Sequence, residues 1–118
     1  MEYMILIYAD EARYESMEDG QMASLMADFA SYTQALEAAG VLRGGAEMAP
    51  VGSATSVRVR NGKPVITDGP FAETKEQLGG YYLIDVPELD AAIQWAKDCP
   101  AAQFGTVEVR PIWPTRPE

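Results

Sequence analysis

Residues 3–8 are apolar at every position, so neither alternating face of this stretch is polar. Tyr3, Ile5 and Ile7 fall on one side, and Met4, Leu6 and Tyr8 on the other. The pattern predicts a strand over residues 3–9 that is buried on both sides. Residues 11–20 are polar and predict a loop, with Ser16 and Asp19 spaced as a capping box in which Asp replaces Glu. The period then changes. Met22, Leu25, Met26, Phe29, Tyr32 or Thr33, Leu36 and Ala39 recur at steps of three and four, which predicts a helix over 22–39 with one apolar stripe. Gly40 stands where a left-handed cap belongs.

Residues 41–54 contain Gly44, Gly45, Pro50 and Gly52 and predict a loop with at most a short extended piece. From 55 to 60 the alternation is clean, with Thr55, Val57 and Val59 against Ser56, Arg58 and Arg60, the mark of a strand with one wet face. Asn61-Gly62 signals a hairpin turn. Residues 63–67 form the returning arm, which Pro64 assigns to a sheet edge. Residues 72–78 are polar and fit a single helical turn, after which Gly79-Gly80 leads into a strand over 81–86. Pro87 suits the first position of a helix carrying Leu89, Ala92, Ile93 and Ala96 on one stripe and stopping before Pro100. Residues 106–112 predict the last strand.

The order is strand, helix, strand, twice over, with a hairpin arm between. Two such units on one sheet describe an α+β, ferredoxin-like βαββαβ fold with an extra hairpin arm. It forms one domain over residues 1–113, followed by a Pro-rich tail at 114–118. Both helices of this fold cover one sheet face. The strands at 3–9 and 81–86 carry large apolar groups on the other face too, so a second copy is expected to cover it, giving a homodimer.

Composition narrows the chemistry. The chain has 118 residues, is 47% hydrophobic, and carries a formal net charge of −9. That charge repels phosphate backbones and anionic lipid, so nucleic acid and membrane are not expected partners. The chain contains no histidine and one cysteine, Cys99. Histidine-based triads, histidine-ligated metals and intrachain disulfides are excluded, and neither a metal site nor a cofactor is expected. No apolar run reaches the roughly 20 residues a membrane helix needs, and the start lacks the features of a secretory signal. A cytoplasmic location is the expectation. Gly44-Gly45 and Gly79-Gly80 match neither a phosphate loop nor a dinucleotide fingerprint. Met17, Met22 and Met26 fit core packing.

The most unusual stretch is Asp68-Gly69-Pro70-Phe71-Ala72-Glu73-Thr74-Lys75-Glu76. It sets a carboxylate, two backbone-shaping residues, an aromatic and alternating charges in one loop, and loops on rigid scaffolds carry sites. Asp68 is the candidate general acid or base. Lys75 is a candidate to hold an anionic group. Arg58, Glu73, Tyr81, Glu108 and Arg110 are candidate binding groups around it. The competing reading makes Asp68 a turn ligand for backbone N–H groups, Phe71 a core anchor, and Glu73 with Lys75 a solvated ion pair.

The same run, continued through Gln77-Leu78-Gly79-Gly80-Tyr81-Tyr82-Leu83-Ile84-Asp85, resembles the signature of the YCII-related family in its DGPF-motif branch. The opening Tyr3-Met4-Ile5-Leu6-Ile7-Tyr8, the helix exit Ala39-Gly40-Val41-Leu42 and the ending Val107-Glu108-Val109-Arg110-Pro111 extend the resemblance along nearly the whole chain. It implies a dimeric α+β barrel of bacterial type with a cleft near the DGPF loop in each subunit. The wider superfamily includes a cofactor-free dehydrochlorinase acting on a muconolactone. Other members carry a His-Asp pair proposed to be catalytic. The resemblance offers Asp68 as the counterpart of that aspartate, while the histidine is absent here. The DGPF branch also resembles products encoded beside extracytoplasmic-function sigma factors. Two readings follow: a small-molecule-binding dimer acting as a cofactor-free isomerase or lyase through Asp68, or a non-enzymatic accessory protein binding a protein partner. The residues alone do not choose between them.

Overall fold

The computed structural model describes residues 1–114, so the expected tail at 114–118 lies, but for Pro114, outside the described residues. Strands β1 (Glu2–Ala9), β2 (Leu42–Glu47), β5 (Gln77–Asp85) and β6 (Thr106–Pro111) form one sheet in the order β2-β5-β1-β6, while β3 (Thr55–Arg60) and β4 (Lys63–Asp68) form a separate two-stranded sheet. Every neighbouring pair is antiparallel. Helices α1 (Glu11–Glu15) and α2 (Asp19–Ala38) connect β1 to β2, and α3 (Leu89–Asp98) connects β5 to β6. This is the α+β, ferredoxin-like arrangement, with the β3–β4 hairpin inserted between β2 and β5. No helix among the described residues is long and apolar enough to cross a membrane.

The two-sided apolar β1 is a central strand, as its pattern requires, with β5 and β6 on either side. Its Tyr3, Ile5, Ile7 and Ala9 face the helices and join Tyr32 and Leu36 of α2, Ala92 and Ala96 of α3, and Ile84 of β5 in the core. Met4, Leu6 and Tyr8 alternate onto the opposite face and stay only partly buried. Their neighbours there include Tyr81 and Leu83 of β5.

Several expectations need correction. The second strand of the first unit is β2, within the segment 41–54 expected to be a loop with at most a short extended piece; residues 55–60 belong to the arm instead. Glycine doublets hid β2. Gly45 lies so close to β5 that an added Cβ would sit 2.9 Å from the Tyr81 carbonyl oxygen, and a Cβ on Gly80 would sit 3.0 Å from that of Ala46. Gly45 and Gly80, one from each doublet, let the strands approach, and Gly79-Gly80 lies inside β5. The polar loop at 11–20 contains α1, capped by Asp10, whose carboxylate accepts the Ala12 N–H at 3.0 Å. The capping box of α2 is formed by Glu18 and Gln21, not by Ser16 and Asp19. Residues 72–76 form no helical turn, and Pro87 precedes the cap of α3 at Glu88. The Asn61-Gly62 turn is present, with φ of 53° and 75°.

Candidate functional site

Helix α2 is held at its C-terminal half and stands away from the sheet at its N-terminal half. Leu36 is fully buried, and the buried Tyr32 donates its hydroxyl to the Trp95 carbonyl at 2.7 Å. One turn and more upstream, Met22, Leu25 and Phe29 are only half-buried, and Met26 is 54% exposed. A helix of this length spans about 30 Å, and the core covers only part of it. Between this free half and strands β2 and β5 lies a cleft of about 610 Å³. Its size is that of an ordinary small-molecule site.

One wall is Met22, Leu25, Met26 and Phe29. The floor is Leu42, the backbone of Gly44-Gly45 and Gly79-Gly80, Ala46 and Tyr82. With no Cβ, the four glycines expose peptide groups to the cleft. Tyr82 supplies a phenol at one end. The Thr33 hydroxyl donates to the Phe29 carbonyl at 2.9 Å, so its single proton is used; the 2.8 Å contact between Thr33 and Tyr82 then has Tyr82 as donor. The Tyr82 oxygen keeps its lone pairs for a guest, and burial pushes its pKa above the ordinary tyrosine value, so it stays neutral. At the other end, Gln77 accepts the Glu11 N–H at 2.9 Å and donates to the Thr74 carbonyl at 2.8 Å. Glu11 in turn accepts the Val51 N–H at 3.0 Å. These bonds fix α1 and the root of the arm against the end of the cleft.

The charged groups in the lining are the carboxylates of Glu11, Glu15 and Glu47; no Lys or Arg lines it among the described residues. The cleft is therefore apolar inside and anionic at its rim.

Of the residues singled out in the sequence, only Tyr81 is in this wall, and its register opposite Leu6 puts it on the open face of the sheet. Asp68 ends β4, exposed and outside the cleft lining. Arg58 is exposed on β3, and Glu73 and Lys75 are exposed in the following loop. Phe71 is 79% exposed and anchors no core. Glu108 and Arg110 share the open sheet face with Tyr81, opposite Leu6 and Met4. Arg110 Nε donates to Glu108 at 3.2 Å. Arg110 first, and Tyr8 next, hold the Glu108 carboxyl below the usual carboxylate range. The structure thus places Tyr81, Glu108 and Arg110 on one sheet face, while Arg58 and Asp68 lie on opposite sides of the β3–β4 hairpin, so it does not unite the seven. Burial pushes the Cys99 thiol up, which keeps it protonated and inert.

The cleft's own residues were missed. Met22 and Met26 looked like packing, and the glycine doublets matched no motif. The available signal was their coincidence: a helix stripe longer than the core could cover, and two Gly-Gly pairs on strands.

A family model described as the YCII-related domain matches residues 1–116. An uncharacterized protein of Rhizobium meliloti (strain 1021) is 38% identical over 114 residues, covering 95% of this chain and 92% of that protein.

Proposed function

The chain belongs to the YCII-related domain family, and from that premise we propose that it binds a small, largely apolar molecule, neutral or cationic, in the cleft under α2. The carrying observation is the lining: a Met- and Phe-rich wall and a glycine floor, with carboxylates as its charged groups. Methionines adapt to guests of varied shape. An anionic guest would meet three like charges and no partner, which opposes the expected role of Lys75 in holding an anion.

The working unit in this reading is a homodimer. Met4, Leu6, Tyr8, Tyr81 and Leu83 form an apolar strip on the sheet face away from both helices. Pairing two such faces about a two-fold axis covers it. Cofactor-free isomerase or lyase chemistry by Asp68 would require its carboxylate to reach a cleft. It is absent from the lining of its own, so a neighbouring copy is the route.

Phenethylamine and phenylacetate test the charge preference, because they share a ring and differ in the sign of the head. Phenethylamine is expected to bind the tighter, by calorimetry. Glu15→Gln with Glu47→Gln should lower its affinity several-fold, since each exposed carboxylate contributes about 0.2–1 kcal/mol. Tighter phenylacetate binding, or no effect of the double substitution, would contradict the assignment.

A further inference from the structure

The β3–β4 hairpin is a second, separate surface without a cover. All of Lys63–Asp68 is exposed, as is most of Thr55–Arg60. Its cross-strand pairs sort the side chains cleanly. Val57 faces Ile66 and Val59 faces Pro64 on one side; Arg58 faces Val65 and Arg60 faces Lys63 on the other. On the first side Val57, Val59 and Ile66 are 63%, 61% and 67% exposed. An isolated two-stranded hairpin is marginally stable in water, and apolar groups on an uncovered ribbon are an aggregation hazard. The Cα radius of gyration is 16.5 Å, against about 13.5 Å for a compact chain of this length, as an arm reaching outward requires.

Charge identifies what the arm meets. Arg58, Arg60 and Lys63 are three of only nine basic residues, and none is in an ion pair among the described residues. The chain total is −9, so the arm is a cationic segment on an otherwise strongly acidic molecule. Two such acidic bodies repel when they meet. A cationic arm laid by each on the other offsets that repulsion.

We infer that the β3–β4 hairpin is a clasp for a second copy of this chain, with Val57, Val59, Pro64 and Ile66 packed on that copy and Arg58, Arg60 and Lys63 against its carboxylates. This rests on the dimer proposed above and adds a contact that the sheet face does not supply. Sedimentation velocity over a dilution series tests it on the full chain, comparing wild type, Arg58→Glu/Arg60→Glu/Lys63→Glu, and Val57→Thr/Ile66→Thr. The Thr pair keeps the β-branched shape, so the hairpin persists even where reversed charges disturb it. Each variant is expected to raise the dimer dissociation constant about tenfold or more. Added salt should narrow the gap between the wild-type dimer and the charge variant. A wild type that stays monomeric at high micromolar concentration would overturn the dimer itself and the clasp with it. A wild-type dimer that the Thr pair leaves unchanged would overturn the clasp alone and assign the arm to a different partner.

Discussion

Gly105→Ala is expected to cost about 3 kcal/mol or more, through overpacking that the backbone cannot relieve. Gly105 enters β6 directly after the 3-10 turn at Pro100–Gln103, where its N–H donates to the Ala101 carbonyl at 2.7 Å. An added Cβ would stand 2.2 Å from the Tyr8 carbonyl oxygen and 3.2 Å from the Ala9 Cβ. The obstruction is main chain of the central strand, so no side-chain rotation removes it. Either β6 separates from β1 or the turn unravels. Both outcomes expose the core around Cys99 and Ala101, which are 1% and 0% exposed. The thermal midpoint should fall by on the order of 10 °C at this chain length, measured at matched concentration because a dimer's midpoint depends on it. A midpoint close to wild type would show that the β1–β6 junction is looser than its geometry indicates.

The second large effect is on assembly. Leu6→Asp should leave the fold intact and abolish the proposed dimer. Leu6 lies on the open face between Tyr81 and Glu108. In a single chain the new carboxylate is solvated, so secondary structure is retained. In a face-to-face dimer it is buried without a partner, at about 3–5 kcal/mol for each uncompensated charge. The dissociation constant should rise at least about a hundredfold. Sedimentation equilibrium with circular dichroism separates this from unfolding. A folded variant that is still dimeric would remove the open face from the interface.

How far the sequence carried depends on which residues hold information locally. The apolar run at Tyr3–Tyr8 names a central strand because no other position tolerates bulk on both faces. Asn61-Gly62 names its turn through backbone conformation alone. Of the α3 stripe Leu89, Ala92, Ile93 and Ala96, the two alanines are buried and the two larger residues are exposed. The second sheet strand was not legible, because Leu42–Glu47 contains no β-branched residue and two glycines; it is a strand because it pairs along Gly80–Ile84 of β5. The α2 stripe predicted burial along the whole helix, whereas only Tyr32 and Leu36 are buried. Apolar periodicity reports which face turns inward, not whether the sheet reaches that far. The candidate site was drawn to Asp68 by the density of special residues in its loop. The cleft is built from Met, Phe and glycine peptide groups, which form no motif and are brought together only by the fold.

The central claim is that the cleft under α2 takes an apolar guest with a neutral or cationic head. The most direct measurement is an amide ¹H–¹⁵N titration with phenethylamine, with phenylacetate as the matched anion. Glycine amides resonate apart from most others, and Gly44, Gly45, Gly79 and Gly80 all line the floor. Phenethylamine should shift these four amides together with those of Met22, Met26 and Phe29, saturably, and phenylacetate should shift them less. Unmoved floor glycines, or a stronger response to the anion, would contradict the assignment of this cleft.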